Sequence, residues 1–100
     1  MMFHVRWIRR DSGASDEADR QVLAILEKFA PPEGVTVHSW LERIDGTGGF
    51  ALLETSDPTA LAAGFPIFNP YFAFEATPVI QHDEGVAALT AAVAFRASIS

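Results

Sequence analysis

The sequence contains no cysteine. That absence excludes disulfides, thiolate zinc sites, iron–sulfur clusters and a cysteine nucleophile. A bound metal would have to take histidine and carboxylate ligands. Long apolar runs are missing too: none reaches the roughly 18 residues of a membrane span. The opening MMFHVRWIRR lacks the pattern of a secretory signal, so the expected address is cytoplasmic with no membrane partner. Basic residues are scarce, seven against thirteen acids, for a formal net charge of −6 and a pI near 4.8. Nucleic acids and anionic membranes require a basic footprint, so no nucleic acid is expected as a partner. The few bases are unevenly placed. Arg6, Arg9 and Arg10 stand in the first ten residues without an acid, leaving four bases against thirteen acids over the rest.

What is present describes a folding globule. Hydrophobic residues make up 49% of the chain and charged residues 20%, a balance unlike that of disordered segments. No repeat, low-complexity tract or linker divides the chain. One domain over residues 1–100 is expected, with residues 81–100 as a C-terminal helical extension.

Period carries the fold argument. Residues 2–8 alternate Phe3, Val5 and Trp7 with His4, Arg6 and Ile8, predicting a strand, and Asp11-Ser12-Gly13 breaks it. Ser15 is a fitting N-cap for a helix over about 16–30, with Asp16 and Glu17 at its positive end. Its apolar stripe is read as Val22, Leu23, Leu26, Phe29 and Ala30, and Pro31-Pro32-Glu33-Gly34 stops it. Residues 35–44 predict a second strand, with Val35, Val37, Ser39 and Leu41 opposing Thr36, His38, Trp40, Glu42 and Ile44. Residues 45–49 (DGTGG) form a hairpin connection to a third strand over 50–55. They are no phosphate loop, for they lack the lysine and lie between two strands. Ser56-Asp57-Pro58 starts a short helix that Gly64 and Pro66 interrupt. Residues 72–80 give a fourth strand, placed at a sheet edge by Pro78. Asp83 is expected to cap a last helix with Val86, Leu89, Val93 and Ala97 as its stripe.

The order β-α-β-β-α-β predicts an α+β, ferredoxin-like fold: a four-stranded antiparallel sheet with helices on one face, plus the C-terminal helix. The strands have no consistently polar phase. Phe3, Val5, Trp7, Phe50, Leu52, Phe72 and Phe74 exceed what two modest helices can bury, so a second copy laid on the bare sheet face is expected. The expected partner is therefore the chain itself, as a homodimer.

Pro32-Glu33-Gly34, Ser39-Trp40-Leu41-Glu42, Phe50-Ala51-Leu52-Leu53-Glu54-Thr55 with Asp57-Pro58, Phe74-Glu75 and Pro78-Val79 follow one another in a familiar order. Together, over about residues 1–84, they resemble a short bacterial family catalogued as domain of unknown function 3303, which looks like a branch of the dimeric α+β-barrel superfamily. The resemblance implies a homodimer whose two sheets form a barrel. It implies no single activity, since that superfamily spans cofactor-free monooxygenases, haem enzymes, isomerases and plain binding proteins. Many of them hold a ligand between sheet and helices. The segment over 64–70 (GFPIFNP) departs from the family's longer, tryptophan-containing second helix.

Several residues could carry chemistry. His4 and His38 lie on the first and second strands, about two strand spacings or ~10 Å apart, too far to share a metal unless the strands curve. With Glu54 or Glu75 a histidine–carboxylate site is conceivable, against the plainer reading of hydrogen-bonded strand histidines. No metal and no cofactor is expected. Glu54 and Glu75 each follow an apolar strand residue, where an unpaired charge is costly. Either serves as a general base if it faces a dry cavity, or as a structural pair with Arg6 or Arg43. Arg6 could hold an anion, and Trp40 and Trp7 offer stacking faces. Residues 65–74 hold five of the eleven aromatics. Phe68 and Tyr71 in that segment could line the mouth of an apolar cavity, or form a clasp between two copies. No serine-hydrolase arrangement occurs. Two functions follow. One is a module binding a small apolar or aromatic ligand through His4, Arg6, Trp40, Glu54, Phe68 and Tyr71. The other is a cofactor-independent or metal-assisted enzyme on an aromatic or polyketide-like substrate, with Glu75 or His38 as the base.

Overall fold

The structure, a computed structural model, describes residues 1–11 and 14–99. Of the expected break at Asp11-Ser12-Gly13, residues 12 and 13 lie outside the described residues. The elements run β1 (Met2–Arg9), α1 (Asp16–Lys28), β2 (Val35–Glu42), β3 (Gly48–Thr55), α2 (Pro58–Ala62), α3 (Phe65–Phe68), β4 (Phe72–Val79) and α4 (His82–Ser98). The strands form one antiparallel sheet in the order β2-β3-β1-β4. This is the ferredoxin-like α+β arrangement. Pro78 falls on β4, an edge strand, where its missing donor is tolerated.

Local chemistry accounts for the helix starts. The Ser15 hydroxyl accepts the Ala18 N–H at 3.0 Å, and the Asp57 carboxylate accepts the Thr59 N–H at 3.0 Å with Pro58 next in line. The last helix departs from expectation. Gln81, not Asp83, is its N-cap, and the Gln81 N–H donates to Glu84 at 3.2 Å while Asp83 sits in the first turn. Phe65–Phe68 also forms a turn of helix that the Gly64 and Pro66 breakers conceal, because proline is tolerated in a first turn.

Two readings of period are corrected. Leu23 and Leu26 are 62% and 43% exposed, while Ala18 is buried and Val22, Ile25 and Phe29 half-buried, so the inner stripe of α1 runs Ala18, Val22, Ile25, Phe29. Ala30 is exposed and lies beyond the helix. In β2 a bulge between Val37 and Ser39 inserts one extra residue. Strict alternation would put His38 with Trp40; the bulge instead sends His38 to the open face and Trp40 to the helix side. The hairpin connection is two residues earlier than expected, over 43–47, because β2 ends at Glu42 and Gly48 and Gly49 belong to β3.

The core lies on the helix side of the sheet. Phe3, Val5, Trp7, Ala51, Leu53 and Leu61 are buried together, with Val35, Val37, Phe65, Phe72 and Phe74 packed against them. Each fully buried large side chain contributes about 1.5–3 kcal/mol. The opposite face carries His4, Arg6, Ile8, His38, Leu41, Phe50, Leu52, Glu54 and Glu75. No helix covers it. Helix α4 buries none of its residues. It extends the molecule to 61 Å in its longest dimension and a radius of gyration of 17.9 Å, against about 13 Å for a compact chain of this size. Among the described residues no helix is long and apolar enough to cross a membrane.

Candidate functional site

Helix α1 stands off the sheet and leaves a partly enclosed cavity of about 400 Å³. Val5, Trp7, Ala51 and Leu53 form its floor; Trp40 and Val37 of β2 and Phe72 and Phe74 of β4 form its sides. Val22, Leu26 and Phe29 of α1 close it above, with Phe65 and Phe68 of α3. The aromatic rings interlock. Trp7 meets Trp40 at 5.3 Å between centroids, and Phe29 stands edge-on to Phe68 at 5.2 Å and to Trp40 at 6.4 Å. Such pairs add specific geometry to apolar burial.

Polar contacts hold α1 at its rim. Arg9 donates to Asp19 at 2.5 Å, and the Tyr71 hydroxyl donates to the Gln21 side-chain carbonyl. The charged residues lining the cavity are Arg9 and Glu42, both toward its hairpin end. Glu42 accepts the Trp40 indole N–H at 2.8 Å.

The other titratable candidates lie across the sheet. His38 Nε2 is 2.7 Å from Glu54, and Arg6 is 3.3 Å from Glu75. The His4 ring stacks on Phe50 at 5.8 Å. Phe68 and Trp40 thus line the cavity and Tyr71 clasps its roof, while His4, Arg6, His38, Glu54 and Glu75 occupy the open face. The structure does not bring Glu75, His38 or Arg6 together with the aromatic segment. Arg43 pairs with Asp45 rather than with a strand glutamate. Among the described residues no three His, Asp or Glu side chains are grouped to hold a metal ion.

A family model matches residues 1–93. The chain belongs to the family described as domain of unknown function DUF3303. The match extends past the motifs over 1–84 into α4, so most of that helix belongs to the DUF3303 region. No curated protein matches the chain.

Sequence reasoning did not single out Arg9 and Glu42. Arg9 was legible, for it shares the phase of Trp7 two residues earlier. Glu42 was not, because the bulge reverses its face.

Proposed function

We propose that this DUF3303 protein is a cytoplasmic homodimer that binds a small apolar or aromatic molecule between its sheet and α1. The observation that carries the reading is the aromatic-lined cavity. It lies within the common size range of small-molecule sites, with predominantly apolar walls and a few polar groups at one end. Binding is favoured over catalysis because the candidate bases Glu75 and His38 are on the far side of the sheet, beyond reach of a molecule in the cavity.

The dimer reading rests on the open face. Leu41 and Phe50, directly opposite each other on β2 and β3, are 53% and 40% exposed, and Ile8 on β1 is 41% exposed. A patch of this kind is a common mark of association. Light scattering on the eluting protein should give twice the chain mass.

The ligand test uses Trp7 and Trp40, both of which line the cavity. Titration with a naphthalene-based probe should change their emission and raise the melting temperature. Ala51→Trp, which fills the floor, should abolish both responses while retaining a cooperative fold. A library of apolar aromatic compounds that moves neither signal would overturn the reading.

A further inference from the structure

We propose that the cavity selects a hydrophobic cation: an aromatic or alicyclic body bearing an ammonium group held by Glu42. The inference rests on the ligand-binding reading above and assigns the chemistry of its polar end. The two charged residues lining the cavity are not equivalent. Arg9 is already neutralised by Asp19 of α1 at 2.5 Å. Glu42 has only the neutral Trp40 indole N–H, at 2.8 Å, and among the described residues no Lys, Arg or His lies within 4 Å of it. One N–H leaves most of a carboxylate's acceptor capacity free. The uncompensated charge at that end of the cavity is therefore negative.

The neighbouring surfaces suit the apolar body of such a ligand. Glu42 aligns through Gly49 with Trp7 across the sheet, and Trp40 precedes Glu42 by two residues on the same face. The Trp40 indole meets the carboxylate with its N–H edge, so an ammonium at Glu42 leaves the ligand's apolar body to the cavity's aromatic walls. The chain's net charge of −6 adds a field that draws cations and repels anions. An anionic ligand would approach the Glu42 carboxylate and find the Arg9 charge already shared with Asp19.

The test is calorimetric titration of the full chain with three probes of one body: 1-naphthylmethylamine, charged at pH 7, the neutral 1-naphthalenemethanol, and 1-naphthoate. The amine should bind up to about fivefold more tightly than the alcohol, with naphthoate weakest. Glu42→Gln keeps an acceptor for Trp40 and should lower amine affinity most of the way to that of the alcohol, leaving the alcohol unchanged. Raising salt should narrow the amine's advantage in the native protein more than in the variant. Equal affinity for amine and alcohol, or a preference undiminished by Glu42→Gln, overturns the cation assignment and leaves the apolar cavity standing. If none of the three probes binds, both readings fall.

Discussion

Arg6 and Glu75 face each other directly across β1 and β4, with guanidinium and carboxylate 3.3 Å apart on the open face. The pairing accounts for a glutamate beside Phe74 in a strand without invoking chemistry. Both side chains are more than half exposed, so water and salt screen the pair and its contribution is small, about 0–1 kcal/mol. Glu75→Gln should shift the urea midpoint only slightly and leave probe affinity in the cavity unchanged. A loss of binding greater than about threefold, close to 0.7 kcal/mol, would place Glu75 in the site after all.

The glycines of the β2–β3 hairpin separate two demands on the backbone. A Cβ on Gly49 would lie 2.4 Å from the Leu41 carbonyl oxygen and 2.7 Å from the Trp7 ring. Gly46 has φ +75 but open space around it. Gly49→Ala should therefore destabilise by about 1–3 kcal/mol or more through overpacking. Gly46→Ala should cost about 1 kcal/mol through backbone strain alone. Equilibrium unfolding in urea ranks them, and a Gly49→Ala variant as stable as the native chain contradicts the close approach.

The order of elements and the antiparallel sheet were legible because strand alternation, the Ser15 and Asp57 caps and the Pro31-Pro32 stop each have a local physical cause. The division of residues between the two faces was only half legible. Phe3, Val5 and Trp7 keep strict period 2 and fall where alternation puts them, whereas β2 does not, because the bulge at His38 leaves no mark in an apolar–polar pattern. The cavity follows from how far α1 stands off the sheet. That spacing depends on contacts such as Arg9–Asp19, between residues ten apart, which periodicity does not encode.

Asp45 gives the hairpin a pH dependence. The Thr47 hydroxyl and then the Thr47 backbone N–H donate to its carboxylate, and Arg43 adds a cation, holding its pKa below the ordinary aspartate value. A carboxyl depressed in the folded state stabilises it above the unfolded pKa, near 3.9. That contribution is lost as pH falls through the lower folded value. Asp45→Ala should therefore be less stable than the native chain at pH 7, and the gap should close below about pH 4. A gap that stays constant down to pH 2 would contradict the ionic origin.

Leu53 joins the core to the cavity floor. It is buried, packed with Val5 and Leu61, and reaches the cavity. Leu53→Ala should cost about 2–5 kcal/mol, since it removes buried atoms and leaves space behind. Because that space opens into the site, the same variant should accept a bulkier aromatic probe than the native protein. Denaturation and probe titration on one preparation test both consequences.

Helix α4 poses the opposite case, an element formed without burial. Its sequence is rich in alanine, the strongest helix former, and Glu84 receives the N-cap amide at one end while Arg96 complements the dipole at the other. Local terms of this kind leave a helix of 17 residues only marginal by itself in water. Val86, Leu89, Val93 and Phe95 are all exposed, so the body of the protein adds little. Amides of α4 should therefore exchange with deuterium orders of magnitude faster than those of β1, which is paired on both sides by β3 and β4. Leu89→Ser should leave the unfolding free energy of the body within about 0.5 kcal/mol of the native value, as for a surface site. Comparing exchange at low and high protein concentration then separates two causes of any slow exchange. Protection in α4 that grows with concentration requires cover from a second copy, whereas protection independent of concentration requires contact within one chain.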